Sequence, residues 1–282
     1  MIEDVSHMDH IIIRGRRLDL SAHVNRKLFD RDYIAELRRN LLNAKPFEHL
    51  VVADWFNPNL LELVIEEFDL LDRGGWRVIT SQQQLTHRSD KYDNLGPASD
   101  IYFNIVNSGW FVDLICELTG NEDLLPDPRL LGGGLHETRS GGTFGIHRDF
   151  DRHTRTGLDN KAVLLTYLNK NWNPNWHAAL ELWNDDPPGC AVKVEPEFGT
   201  SVLMVHGAKS FHGHPQPMSA PEGQTRRSLA SYYYANHFSV QQRVKRVNSV
   251  FLYAHKVKPL RRMVSRLMPP ILSDAIKKYI SR

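Results

Sequence analysis

From Leu130 to His237, short runs of β-branched and aromatic residues alternate with clusters of Gly, Pro, Asn and Asp. This texture constrains the fold more than any other feature of the chain. Runs of this length fill single strands, and breakers at this spacing leave no room for crossover helices between them. The candidate strands are 130–138, 143–150, 162–168, 179–183, 191–195, 200–205 and 226–237. Seven or eight strands joined by turns predict a barrel or a double-sheet jelly roll rather than βαβ units.

The residues before this stretch are patterned differently. Leu28, Ile34, Leu37, Leu41 and Leu42 fall at helical spacing within 25–43. Val51, Val52 and Ala53 form a short strand-like run. Asn57 and Pro58 then read as an N-cap and first helical residue, ahead of the stripe Leu61, Val64, Ile65, Phe68 and Leu71. A third helical region lies within 99–118, with Gly109 inside it and Gly120 placed as its C-terminal cap. After Asn248 the helical rule returns. Leu260, Met263, Val264, Leu267 and Met268 share one stripe, and Leu272, Ala275, Ile276, Tyr279 and Ile280 share another beyond Pro269-Pro270.

Net charge separates the same two ends. Residues 241–282 carry eleven Lys and Arg against Asp274 alone, a charge of +10, so the first 240 residues carry −8 and the total is only +2. An acidic body argues against a nucleic-acid binder, whose positive charge covers its working face. The basic amphipathic segment fits an acidic membrane surface or a homo-oligomer contact, and equally a solvated helix face or packing on the body. No apolar run reaches the roughly 20 residues of a membrane span. The Met1-Ile2-Glu3-Asp4 start lacks the basic and apolar regions of a signal peptide. Cys116 and Cys190 form no C-x-x-C pattern, which argues against a disulfide framework. The expectation is a soluble, cytoplasmic protein.

Chemistry concentrates in Gly145-Ile146-His147-Arg148-Asp149-Phe150. Strand alternation puts His147 and Asp149 on one face and Arg148 on the other. An imidazole beside a carboxylate is two thirds of the 2-His-1-carboxylate triad that holds non-haem Fe(II) with coordination positions open. A second cluster, Ser210-Phe211-His212-Gly213-His214-Pro215, starts the search for the remaining histidine, with His206 and His214 competing with His212. Fourteen residues after His212, Arg226 opens a strand in which Ser228 shares its face. A guanidinium fork beside a hydroxyl suits a carboxylate.

The run 141–149, then Tyr167-Leu168-Asn169-Lys170-Asn171-Trp172, Leu180-Glu181-Leu182-Trp183, His212-Gly213 and Arg226-Arg227-Ser228-Leu229, resembles the Fe(II)- and 2-oxoglutarate-dependent dioxygenases, in their prolyl 4-hydroxylase-like branch. The resemblance covers roughly 130–237. It implies a mostly β fold with flanking α-helices, a double-stranded β-helix (jelly roll, cupin-like). It implies one catalytic domain over 1–240, with helical support in 1–125 and the iron-bearing core in 130–240, followed by the basic helical segment 241–282.

Carried over residue by residue, the resemblance makes His147, Asp149 and His212 the metal ligands and catalytic centre. Arg226 and Tyr167 bind the distal carboxylate of 2-oxoglutarate, and Ser228 completes an Arg-x-Ser anchor. The implied cofactors are Fe(II), 2-oxoglutarate as cosubstrate and O2, with ascorbate as an accessory reductant. The implied reaction hydroxylates an unactivated C–H bond of a small molecule, amino acid or peptide and releases succinate and CO2; Asp149 argues against halogenation, which needs that carboxylate missing. Two departures stand out. Ala178-Ala179 replaces the family's Gly-Gly before the Leu-x-Leu strand, and Thr138 stands where relatives carry Tyr or Gln.

Other readings of the same residues stay open at this level. A cupin-like metal protein acting as a 2-oxoglutarate-independent dioxygenase, isomerase or sensor would use the triad without Arg226. A non-catalytic binding module would use neither. Trp172, Trp176 and Trp183 read as core, the Tyr232–Tyr234 run as a buried strand, and His136 and His153 as side chains without an assigned role. Loops 152–160 and 170–178 are the candidate specificity loops.

Overall fold

The computed structural model describes residues 9–19, 22–71, 76–89 and 95–236. The chain begins with a hairpin of β1 (His10–Ile13) and β2 (Arg16–Asp19). A short 3-10 turn ends at Asp30, whose carboxylate accepts from the amides of Asp32 and Tyr33 and starts α1 (Arg31–Asn43). The helical stretch expected over 25–43 is therefore broken at a cap. Next come β3 (His49–Val52) and α2 (Pro58–Leu70), the latter capped by Asn57 as its Asn-Pro start predicts. A second hairpin, β4 (Arg77–Thr80) and β5 (Leu85–Arg88), precedes α3 (Pro97–Val106) and α4 (Gly109–Thr119). The region expected over 99–118 is two helices. Ser108 accepts from the Phe111 amide, Gly109 opens α4, and Gly120 closes it at φ 73°.

The remaining strands are β6 (Leu125–Pro126), β7 (Gly134–Thr138), β8 (Phe144–His147), β9 (Asp159–Tyr167), β10 (Leu180–Asp185), β11 (Pro188–Val194), β12 (Ser201–Val205), β13 (His212–His214) and β14 (Arg226–Ala235). They form two antiparallel sheets. The larger runs β3-β12-β9-β14-β7-β5-β4, with β6 also paired to β14, and the smaller runs β11-β10-β13-β8. This is the double-stranded β-helix. The expected helices around 260–268 and 272–280 lie outside the described residues.

Period-2 alternation sorts the core into two layers. Val163 and Tyr167 of β9 and Val202 and Met204 of β12 meet Leu180, Leu182 and Val194 of the smaller sheet. The intervening Ala162, Leu164 and Leu203, with Leu135, Leu229 and Tyr233, face the helices. Polar pins fix that outer layer. Tyr102 donates to Thr166 Oγ1 at 2.8 Å, and Tyr233 donates to the Val106 carbonyl at 3.0 Å. Of the three tryptophans read as core, Trp172 is buried against Ala178, Met218 and Ala220, with Trp176 beside it.

The β4–β5 hairpin, which no motif announces, stitches the two sheets together. His87 and Arg88 pair with Glu137 and His136 of β7 in the larger sheet. A few residues earlier the same segment serves the smaller sheet. The Leu85 amide donates to Thr143 O, and the Gly145 amide donates to Gln83 O at 2.6 Å.

Candidate metal centre

His147 ends β8 and His212 begins β13, and the two are direct partners across the ladder. Their ring centroids lie 4.7 Å apart. Gly213 makes this approach possible. A Cβ there would stand 2.6 Å from the carbonyl oxygens of Phe144 and Gly145. Asp149 follows just past the end of β8, so its carboxylate swings beside both rings. Its Oδ1 is 3.4 Å from His147 Nε2, and its Oδ2 is 3.6 Å from His212 Nε2.

Both imidazoles are held in the same way. His147 Nδ1 lies 2.8 Å from the Gly145 carbonyl, and His212 Nδ1 lies 3.0 Å from the Ser210 carbonyl. A carbonyl can only accept, so each Nδ1 carries the proton and each Nε2 lone pair faces the carboxylate. His147 Nε2 is buried with no hydrogen-bond partner. Phe144 stacks on the His147 ring at 3.8 Å and fixes its plane. Burial pushes His212 down to about 4, so it is neutral at physiological pH. Burial acts to raise the Asp149 carboxyl, but His212, His147 and His206 hold it well below the usual carboxylate range. One carboxylate oxygen and two imidazole nitrogens within 4.8 Å of one another form a donor set that fits a divalent metal. Two nitrogens and one oxygen, with no thiolate, are the donors of non-haem Fe(II).

Deeper between the sheets, Arg226 at the start of β14 is buried. Its Nη2 donates to the Tyr167 hydroxyl at 3.0 Å and its Nε to the Ala178 carbonyl at 2.9 Å. Ser228 is the direct partner of Tyr167 across β9–β14, so the three residues share one inward face. Ala178 and the preceding His177 both adopt φ 61°. The Ala-Ala departure thus keeps, at Ala178, a backbone conformation that favours glycine. Thr138 is the direct partner of Arg226 on β7, which places a short side chain beside the guanidinium.

His212 wins over its competitors on geometry. The ladder is irregular between His212 and His214, and His214 pairs with Phe144 instead. Burial, then Arg226, lowers His214 strongly. His206 lies beyond the end of β12, with Nε2 3.2 Å from Asp149 Oδ2, yet outside the set of mutually close ligand atoms.

Three residues read without a role in the site lie close to it, and none belongs to the ligand set. Tyr232 is only partly buried and faces inward; burial and the Asp149 carboxylate raise its hydroxyl well above the usual range. His136 lies in the inward row with Ser228, and burial, then Arg88, lowers it to about 4. His153 organises the loop after Asp149, with Nδ1 accepting from the Arg155 and Thr156 amides and Nε2 3.4 Å from Asp127 Oδ2. Parity along β14 from Arg226 through Ser228 to Tyr232 was the available signal for the first. A cavity of about 170 Å³ beside this loop is lined by Arg148, Asp149, Asn160, His206 and Ser210 among others.

Residues 133–234 match the family model described as the 2OG-Fe(II) oxygenase superfamily. No curated protein matches the chain. Among solved structures, a Pseudomonas putida prolyl-4-hydroxylase is similar at a TM-score of 0.52 and 16% identity, covering 72% of this chain and 99% of that one. A Trichoplax adhaerens prolyl hydroxylase, solved with a hypoxia inducible factor peptide fragment, is similar at 0.54 and 17%, covering 74% and 92%. At this identity the likeness concerns the fold. The triad lies within residues 133–234, the stretch that matches the 2OG-Fe(II) oxygenase superfamily.

Proposed function

We propose that the chain is an Fe(II)- and 2-oxoglutarate-dependent dioxygenase that hydroxylates an unactivated C–H bond of a small molecule, amino acid or peptide. The observation that carries this reading is the matched pinning of His147 and His212 through Nδ1, which aims both Nε2 atoms at the Asp149 carboxylate. With Fe(II) held by these three residues, metal and cosubstrate supply the O2 chemistry that converts 2-oxoglutarate to succinate and CO2 as the substrate is hydroxylated.

The protein's own part is binding and orientation. Arg226 would pair with the distal carboxylate of 2-oxoglutarate, because two of its five N–H donors are set by Ala178 O and Tyr167 Oη and the fork is pre-organised. Tyr167 Oη accepts from Arg226, which leaves its own proton for the same carboxylate. Ser228 adds a hydroxyl on that face. The loops after Asp149 and around 170–178 are the places where substrate selection would reside. Ascorbate would act as an accessory reductant. The segment 241–282 lies outside all of this chemistry, and a peripheral membrane or homo-oligomer contact is its proposed role, in a cytoplasmic protein.

Anaerobic titration with Fe(II) and 2-oxoglutarate tests the reading. The expected result is the weak visible charge-transfer band of the chelate, lost in His147→Ala and Arg226→Ala. A wild-type protein without the band would overturn it.

A further inference from the structure

Asp149 is a buried carboxylate contacted by three histidines, and only two belong to the metal set. The third, His206, presents Nε2 to Asp149 Oδ2 at 3.2 Å, closer than either proposed ligand stands to that carboxylate. Its ring is buried, and neither ring nitrogen makes an aligned hydrogen bond among the described residues, so the approach of Nε2 to Asp149 is its close polar contact. Its backbone is fixed independently of the ligands. The His206 amide donates to Lys161 O at 2.8 Å, which ties it to the larger sheet, whereas His147 and His212 belong to the smaller one. The ring also faces Tyr232, with centroids 6.1 Å apart.

A carboxylate that gives one oxygen to a metal needs a partner for its remaining lone pairs when it is buried, or it rotates and loses its aim. On this basis, and resting on the metal site proposed above, we infer that His206 is a positioning residue. Its Nε2–H holds Asp149 in the orientation that completes the triad. It is not a fourth ligand, because its nitrogens fall outside the cluster in which His147, Asp149 and His212 atoms are all mutually within 4.8 Å. The pairing also explains why a histidine just beyond β12 keeps its ring buried: the ring faces the Asp149 carboxylate.

The test is Co(II) binding by the full chain, followed by calorimetry and by the visible Co(II) spectrum, in His206→Leu and His206→Gln. Leu keeps the bulk of the ring and removes the donor; Gln puts an amide N–H at similar reach. The expected result is a Co(II) Kd weakened about 10- to 100-fold in His206→Leu. His206→Gln should stay within a few-fold of wild type, and the apoprotein Tm of both should shift little. Equal affinity in wild type and His206→Leu would overturn the inference. So would equal weakening in both variants, which would point to packing. Loss of a nitrogen ligand from the Co(II) spectrum of His206→Leu would make His206 a ligand and likewise overturn it. If wild type itself binds no Co(II), the failure belongs to the metal-site reading, and that outcome is distinct from the others.

Discussion

His212 lies directly opposite His147 in the β8–β13 ladder, so strand pairing itself sets the distance between the two imidazoles. Two ligands on neighbouring strands need no loop to bring them together, and only Asp149 depends on where the chain goes after β8. The arrangement is pre-formed, which lowers the entropy to be lost when a metal binds.

That pairing depends on Gly213. A methyl group there would meet two backbone carbonyl oxygens at 2.6 Å, and backbone cannot rotate away as a side chain can. Gly213→Ala should therefore push β13 from β8, costing about 1–3 kcal/mol of stability. Co(II) affinity should fall at least tenfold although every ligand is retained. Thermal denaturation and metal titration of the one variant check both effects.

The anchor deep between the sheets gives a graded series. Arg226→Ala should weaken 2-oxoglutarate binding by at least about 30-fold, the cost of removing one partner of a buried charge pair. Arg226→Lys should recover little, since an ammonium cannot reproduce the fork. Tyr167→Phe removes one neutral hydrogen bond and should cost about five-fold. Calorimetric titration of 2-oxoglutarate into the metal-loaded protein measures each, with metal affinity unchanged in all three.

Strain near that anchor is testable by relieving it. His177 adopts φ 61° and ψ −157°, a region occupied almost only by glycine. His177→Gly should raise stability by about 1 kcal/mol, set by strain of roughly 1–3 kcal/mol less the greater chain entropy of glycine. A Tm that falls instead would show that the imidazole contributes more than its backbone costs.

His136 offers a pH dependence away from the metal ligands. Its folded-state value is lowered to about 4 from 6.5, first by burial and then by Arg88. Between these values the unfolded chain holds a proton that the folded one does not, so stability falls as pH drops from 6.5 toward 4 and levels off below. His136→Gln should flatten the Tm–pH curve in that window, by at most about 1.4 kcal/mol per pH unit. A curve of unchanged slope would count against the neutral, inward-facing imidazole.

Cutting the chain after residue 248 asks whether the +10 segment is separable. Every residue proposed for the chemistry lies between His147 and Ser228, so Co(II) and 2-oxoglutarate affinities should match those of the full chain. Retained cofactor binding with lost turnover would instead give the segment a part in the active site.

The two-sheet core was legible because its longer strands carry their own alternation and their own breakers. His147 and Asp149 were legible as two residues apart on a strand, although Asp149 in fact stands just beyond its end. Parity could not separate His206, His212 and His214, because a turn after Val205 and an irregularity in β13 interrupt the strand that parity assumes. The 3-residue β13 itself escaped notice, its strand character coming from β8 and β10 rather than from its own residues. The hairpins β1–β2 and β4–β5 were missed for a related reason. Their four-residue runs gain their meaning from what they pair with.

The seam formed by β4–β5 bears on where this enzyme can be divided. The Gly145 carbonyl that fixes the His147 tautomer belongs to a residue whose own amide is hooked to Gln83 O. One metal ligand is thus tethered, through a single residue, to a segment some fifty residues before the stretch that the family model spans. A fragment trimmed to that stretch would keep all three ligands yet release the tether on one of them. The smallest piece that carries the motif is therefore not the smallest piece that holds it in shape, and a minimal catalytic scaffold has to begin upstream of Gln83.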